Sequence, residues 1–490
     1  MKNIKHIAFF FALALLLFSI GSCKKDFLDV NQNENSPEKV DVKFALPSAE
    51  SYLGYTLGNQ LSIVGGFWGQ YWTQGPNANQ YANLDQYVYN SSEADRPWEA
   101  LYAGTLKDLQ FIYETGTKDS TKRNYAAIAR ILQAYTYQVI TDAWGDAPFS
   151  ESLKGDAGNV APHFESQEKI YDGILDMVNE GISLIDFDKD GPTSDDLIYN
   201  GDLDLWTAFA NTLKLKILLR QNAIRPTLAQ TEIGDMFANG DLFIAEGEDA
   251  KLLYNDQKYQ QSPLFTTGIA LATTSNIFGS RTLIDYMTTI GDPRLADYFA
   301  ANGGGNIAGL YQGEGKLLGG NQTDGTWSKP SEQIIGPLAS TFLISSAESY
   351  FLQAEAIARG YAPGNDDQVA YETGVLASWS NWPNAADSIA LAFTPYLASD
   401  SVAYPLGGSL TEKLKVILTQ KWIAMAGSQN FEAWTEWRRT RVPAFQTSMT
   451  TALAPGQFPG RLVYPSDEVT SNINFPGIKT VDKTMWWDVH

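Results

Sequence analysis

Apolar residues recur at a spacing of three or four along most of this chain. Tyr125, Ile128, Leu132, Tyr135 and Val139 form the cleanest stripe, within a helix expected over Tyr125–Ile140. Ile170, Ile174, Val178, Ile182 and Ile185 form a second, and Trp206, Phe209, Leu213 and Ile217 a third inside Asp204–Arg220. Leu101, Thr105, Leu109 and Ile112 mark Trp98–Tyr113 as helical, and Phe44–Gly66 reads the same way. Helices return at Ser346–Arg359, Gln368–Trp379, Thr411–Ala426 and Phe431–Arg439, while Asp285–Ala300 is broken at Gly291-Asp-Pro. Such one-sided stripes are core-packing faces. No strand-crossover pattern and no glycine-rich phosphate loop after a strand interrupts them. The pattern predicts a mostly α protein: paired helices on a tetratricopeptide-like scaffold, although no clean 34-residue repeat is present. Between the helical parts, around residues 260–340, lies a loop-rich insertion of small, polar and glycine-rich segments.

The first residues follow another rule. Lys2 and Lys5 precede an uncharged apolar run, Ile7–Ile20, and Ile20-Gly21-Ser22 places small residues before Cys23. A run of that length is short of the roughly 20 residues a spanning helix needs and fits a secretory leader. The tripeptide ending on cysteine resembles a bacterial lipobox, in which the thiol is acylated and the chain is cut before it. The domain reading is a leader over 1–22, a lipidated tether over 23–40 and one helical body over 41–490. Cys23 is the lipidation site. One acyl chain anchors only marginally, so stable attachment takes more than one.

Charge and residue counts narrow the chemistry. The formal net charge is −21, and loss of Lys2 and Lys5 with the leader makes the body more acidic still. Such a body is unsuited to nucleic acid, whose phosphates attract Lys and Arg. Cys23 is the single cysteine, so disulfides and thiolate zinc sites are excluded. Of three histidines, His6 leaves with the leader, and His163 and the terminal His490 cannot build a multi-histidine metal centre.

Aromatic residues are abundant and some escape the helix stripes. Phe67-Trp-Gly-Gln-Tyr-Trp72 and Asn77-Ala-Asn-Gln-Tyr81 set rings among Asn and Gln. Rings stack on the C–H faces of sugars and amides serve their hydroxyls, the usual make-up of a site with an apolar floor and a few directed polar groups. Trp68, Trp72, Asn79 and Tyr81 are therefore ligand-binding candidates, with Trp327 at the end of the glycine-rich loop. The alternative for Trp68 and Trp72 is a buried helix face. Asp186-x-Asp188-x-Asp190-Gly191 matches the first half of a calcium loop, but Leu197 stands where a bidentate Glu belongs. A solvated interhelix loop is the expectation there, and no cofactor is required. Glu355 and Arg359, four apart, suit a surface ion pair.

Several stretches taken together resemble the SusD/RagB family of outer-membrane nutrient-binding lipoproteins, in its SusD-like branch. They are Cys23-Lys-Lys-Asp-Phe-Leu-Asp-Val-Asn, Trp206-Thr-Ala-Phe-Ala-Asn-Thr-Leu-Lys-Leu-Lys-Ile-Leu-Leu-Arg220, Asp292-Pro-Arg-Leu295 and Ser349–Gly360. Gln420-Lys-Trp-Ile-Ala-Met, Phe431–Arg439 and Arg461-Leu-Val-Tyr-Pro465 complete the set. The resemblance implies a helical body with a loop-rich ligand-binding face and a lipid anchor in the outer membrane, facing the cell exterior. It implies a non-enzymatic protein that captures oligosaccharide, or peptide in some members, and passes it to a SusC-like TonB-dependent transporter. It further implies that Glu436, Arg438, Arg439 and Arg441 lock helix pairs. The competing readings are a surface glycoside hydrolase, which needs two carboxyls across a cleft, and a ligand-free structural partner of the barrel.

Overall fold

A computed structural model describes residues 40–270, 276–382 and 385–490. The leader, Cys23 and the tether to residue 39 lie outside the described residues. The helix expected over Phe44–Gly66 is two, α1 (Val42–Gly58) and α2 (Gln60–Trp68). The break falls at Asn59, whose φ of −123° and ψ of −96° leave the helical region. After α2 comes β1 (Trp72–Gln74), then α3 (Ser91–Glu99), which runs through a wide π turn (Ala100–Leu106) into α4 (Lys107–Lys118). Leu101, Thr105 and Leu109 recur every four residues, a wider step than an α turn, and all three are buried.

α5 (Arg123–Trp144) packs between α4 and α6 (Gln167–Leu184), with the short pair β2 (Ala147–Pro148) and β3 (Phe164–Glu165) in the connection. Ser166 caps α6 by accepting from the Lys169 amide, and Asp202 caps α7 (Leu203–Arg220) by accepting from Asp204 and Leu205. α8 (Pro226–Asn239) lies on α7. The sequence pattern gave no helix here, because Pro226 reads as a stop. It is instead the first helical residue, where a missing N–H costs nothing.

β4 (Ala250–Leu252) leads into the loop-rich part, which holds α9 (Pro263–Ala270), β5 (Ile277–Gly279) and α10 (Arg281–Ile290) and ends at β6 (Thr341–Ile344). β4 pairs with β6 and β1 with β5, both antiparallel. The second helical part comprises α11 (Ser346–Ala358), α12 (Asp367–Ser380), α13 (Ala385–Leu397), α14 (Leu410–Ala424) and α15 (Asn430–Thr440). α11 packs on both α12 and α14, around Phe351, Tyr371 and Trp379, while α15 packs on α2.

A buried ion network ties these parts together. On α7, Lys216 meets Glu348 of α11 at 3.3 Å and Glu432 of α15 at 3.0 Å, and Arg220 bonds both Glu432 and Glu436. Lys421 of α14 reaches Glu436 at 2.7 Å, and Arg439 bridges Glu355 at 2.6 Å and Glu436 at 2.8 Å. Burial alone would raise the Glu436 carboxyl. Arg439, Lys421 and Arg220 outweigh it and hold the group well below the usual range. The Glu355–Arg359 pair forms at 2.8 Å, but Glu355 is fully buried because Arg439 reaches it from α15. The expectation of a surface pair is corrected accordingly.

Candidate functional site

Strands β1 and β5 organise the loop-rich face. Trp72 pairs with Gly279 and Gln74 with Ile277. The ladder continues sideways through Arg281 N–H to Leu310 O at 2.7 Å and Gly279 N–H to Ser328 O at 2.8 Å. Asp85 is the side-chain staple of this assembly. One of its oxygens accepts from Thr73 Oγ1 at 2.8 Å, Gln74 N–H at 3.0 Å and Gly313 N–H at 3.1 Å. Burial raises its carboxyl to about 6 despite those three donors.

Beside this sheet lies a cleft of about 280 Å3 between α10, the Tyr311 loop and the segment 443–446. Its walls carry Arg281, Asp285, Tyr286, Tyr311 and Gln446, and Trp422 of α14 lies at the back. The Arg281 guanidinium stands over the Tyr311 ring, 4.8 Å from its centre, and its Nε donates to Asp285 Oδ2 at 2.8 Å. That pairing raises the Arg281 pKa, leaving a neutral couple at the rim. Tyr286 is half-buried and meets Trp422 edge-on at 6.3 Å.

Trp422 is fixed from behind. Its indole N–H donates to Gly69 O at 2.9 Å, and its carbonyl accepts from the Tyr71 hydroxyl. Gln70 joins the two walls, accepting from Thr282 Oγ1 at 2.8 Å and donating to Gln446 O at 2.6 Å. It does so from a left-handed backbone, φ +58°, a conformation uncommon outside glycine that the surrounding contacts must hold in place.

The five ring and amide candidates fall into two groups. Trp72 is 1% exposed, with its ring on Gly66, where a Cβ would stand 2.3 Å from Trp72 Cε3. Trp68 is 2% exposed, donates to Leu84 O at 3.0 Å and packs on Trp434 at 4.8 Å. Both belong to the core, so the ligand-platform expectation for them is corrected. Packing on Gly66 for Trp72, and on Trp434 of α15 for Trp68, removes their faces from solvent.

Tyr81 is half-buried against Phe67, 5.7 Å away, and burial pushes its phenol up to about 12. Asn79 is exposed and Trp327 is half-buried. The Asn77–Tyr81 turn is tied to the glycine-rich loop, with Asn77 Nδ2 donating to Gln322 O at 2.7 Å and Gln322 N–H to Asn77 Oδ1 at 3.0 Å. None of the five candidates lines the Arg281–Gln446 cleft. The residues that do line it were missed. Tyr311 carried the same signal as Trp327, an aromatic in a glycine-rich loop with no helix stripe to explain it.

Asp186, Asp188 and Asp190 occupy a turn whose backbone is already committed. Asn124 Nδ2 donates to Asp186 O and Lys189 O, each at 2.9 Å. Among the described residues, no group of three or more His, Cys, Asp or Glu is placed to hold a metal ion. Of the residues lining the cleft, Asp285 is the one carboxylate.

The loop-rich face of this helical scaffold thus carries a cleft lined by aromatic, amide and paired charged side chains. The chain belongs to the SusD-like family: a family model described as "Starch-binding associating with outer membrane" matches residues 34–465. No curated protein matches the sequence. Among solved structures, a Bacteroidetes SusD-like protein aligns with a TM-score of 0.78 at 21% identity, over 92% of this chain and 100% of its own. A SusD homologue from Bacteroides uniformis gives 0.77 at 24%, over 91% and 100%. A chitin-binding SusD homologue from Flavobacterium johnsoniae gives 0.76 at 22%, over 92% and 99%. The fold is that of the SusD homologues. Among the described residues no helix is long and apolar enough to cross a membrane.

Proposed function

We propose that this protein is a lipid-anchored, outer-membrane glycan-binding protein that captures an oligosaccharide on its loop-rich face and delivers it to a SusC-like TonB-dependent transporter. The observation that carries the reading is the cleft itself. Tyr286 and Tyr311 offer ring faces, Arg281 and Asp285 cancel each other's charge, and Gln446 supplies an amide. Neutral polyhydroxylated ligands need that combination, and a cleft with one arginine-paired carboxylate lacks the two-carboxyl arrangement of glycoside hydrolysis. Tyr81, Asn79 and Trp327, which lie outside the cleft, are assigned to neighbouring ligand contacts. The family description and the chitin-binding homologue support a glycan over a peptide.

The test is calorimetric titration of the mature body with neutral hexasaccharides, using wild type and Tyr311→Ala. Tyr311 serves the fold chiefly through its backbone, accepting from Thr73 Oγ1 and donating to Glu314, so truncation should cost only the Arg281 stacking contact, about 0.5–1 kcal/mol of stability. A hot-spot ring loses about 2 kcal/mol or more, roughly thirtyfold in Kd. Binding that ignores the truncation, or conversion of the glycan to products, would sink the reading. The anchor is checked in parallel: Cys23→Ala should abolish acyl labelling and release a soluble folded body, and an unlabelled soluble wild type would contradict it.

A further inference from the structure

A second concavity, of about 660 Å3, lies between α1 and the segment that follows β4. Tyr52 and Tyr55, three apart, point outward from α1 and are 48% and 50% exposed. Facing them are Tyr254, Asn255, Tyr259 and Gln260. α1 and β4 approach closely because Gly54 has no side chain: a Cβ there would stand 2.2 Å from Leu252 Cδ1 and 3.3 Å from the Tyr254 hydroxyl. Tyr52 is seated on Gly104, whose missing Cβ would fall 2.5 Å from its ring. Tyr254 is fixed by its hydroxyl, 3.1 Å from Thr341 Oγ1.

Tyr259 is held differently. Asn255 and Gln260 close the turn beneath it, with Asn255 N–H to Gln260 O at 3.0 Å and Asn255 Nδ2 to Gln260 Oε1 at 2.6 Å. Within that turn Tyr259 has φ +75° and is 85% exposed. A bulky residue in the left-handed region is held there against local strain. Among the described residues the ring belongs to neither core cluster, and the Lys258 ammonium stands over it at 4.9 Å. Strain held to expose a ring points to use of the ring.

The charge of the lining selects the occupant. In a chain of net charge −21, no Asp, Glu or Arg is among the residues lining this groove, and Lys258 reaches it only through its contact with the Tyr259 ring. Its polar groups are phenols, amides and hydroxyls, which suits neither an ion nor a charged peptide. We propose that the Tyr52–Tyr259 groove is a second binding site for a neutral oligosaccharide, separate from the Arg281–Gln446 cleft. The inference rests on the glycan reading for its ligand class, but on its own residues for its place.

Hydrogen–deuterium exchange on the mature body, with maltohexaose, chitohexaose, xylohexaose and mannohexaose as probes, tests the two sites independently. The expected result is slowed exchange in both 252–262 and 277–312. Tyr259→Gly should remove the ring while letting the backbone keep its φ without strain, so the melting point does not fall. In that variant protection of 252–262 should need at least tenfold more glycan, with 277–312 unaffected. Tyr55→Ala should act in the same direction. Protection confined to 277–312, or unchanged in both variants, overturns the second site and leaves the cleft standing. Protection of neither segment by any probe overturns both.

Discussion

Glu436 is the most heavily used carboxylate of the buried network, and neutralising it without changing its shape tests how the network holds the helices. In Glu436→Gln, Arg220 keeps Glu432 and Arg439 keeps Glu355. Lys421 keeps nothing equivalent: among the described residues Glu436 is its one carboxylate within 4.0 Å, and its side chain is 3% exposed. Breaking a buried pair by removing one partner costs about 3–5 kcal/mol, most of it the stranded charge. Because two of the three cations retain a partner, the loss should stay within that range rather than triple it.

Urea unfolding followed by tryptophan fluorescence measures it, with the midpoint moving and the slope unchanged. Lys421→Met on top of Glu436→Gln removes the stranded charge and should recover most of the loss. Acid supplies an independent check. The Glu436 carboxyl is depressed in the folded state, so its contribution is present above the unfolded value near 4.3 and is lost as pH falls through the folded one. The variant should therefore lose less stability than wild type on acidification. A loss under about 1 kcal/mol for Glu436→Gln would refute the reasoning. So would a double variant in which the two costs simply add.

Asp85 has the opposite sign. Its folded pKa of about 6 lies above the usual carboxylate value, so its contribution favours the fold below about pH 4 and is lost as pH rises through about 6. That amounts to at most about 3 kcal/mol. The difference in melting point between Asp85→Asn and wild type should shift in favour of the variant between pH 4 and 7, and a pH-independent difference would be evidence against the assignment. Trp72→Ala should lose about 3–5 kcal/mol of stability and leave glycan affinity intact in the protein that still folds. Tyr81→Ala should do the reverse, roughly thirtyfold in Kd, with a smaller stability loss of about 0.5–1.5 kcal/mol from its edge contact with Phe67. Exchanged outcomes in calorimetry and thermal melts would return Trp72 to the site and Tyr81 to the core.

Much of the scaffold was legible because apolar residues recur at helical spacing: Leu132, Ile174 and Leu213 are all buried on their stripes, although α5 and most of α7 are covered on nearly every side. α8 escaped because its buried positions, Ala229, Ile233 and Met236, are sparse and follow a proline. α13 escaped in a stretch with Pro395 inside it. The site was harder for a different reason. Trp68 and Trp72 sit among glycines and amides like binding rings, yet both are buried, Trp68 under Trp434 of α15, far along the chain, and Trp72 on Gly66 of α2.

The two arginine–carboxylate pairs make the point sharply. Arg281–Asp285 and Glu355–Arg359 share the same spacing of four on a helix. The first is about half exposed on both sides and forms the rim of a cleft. The second has its carboxylate buried under Arg439 and joins two helices. Helical spacing brings the partners of each pair together, but the depth of the pair is set by what packs opposite. Here depth decides whether a pair meets a ligand or locks the fold, and no window of local sequence contains it.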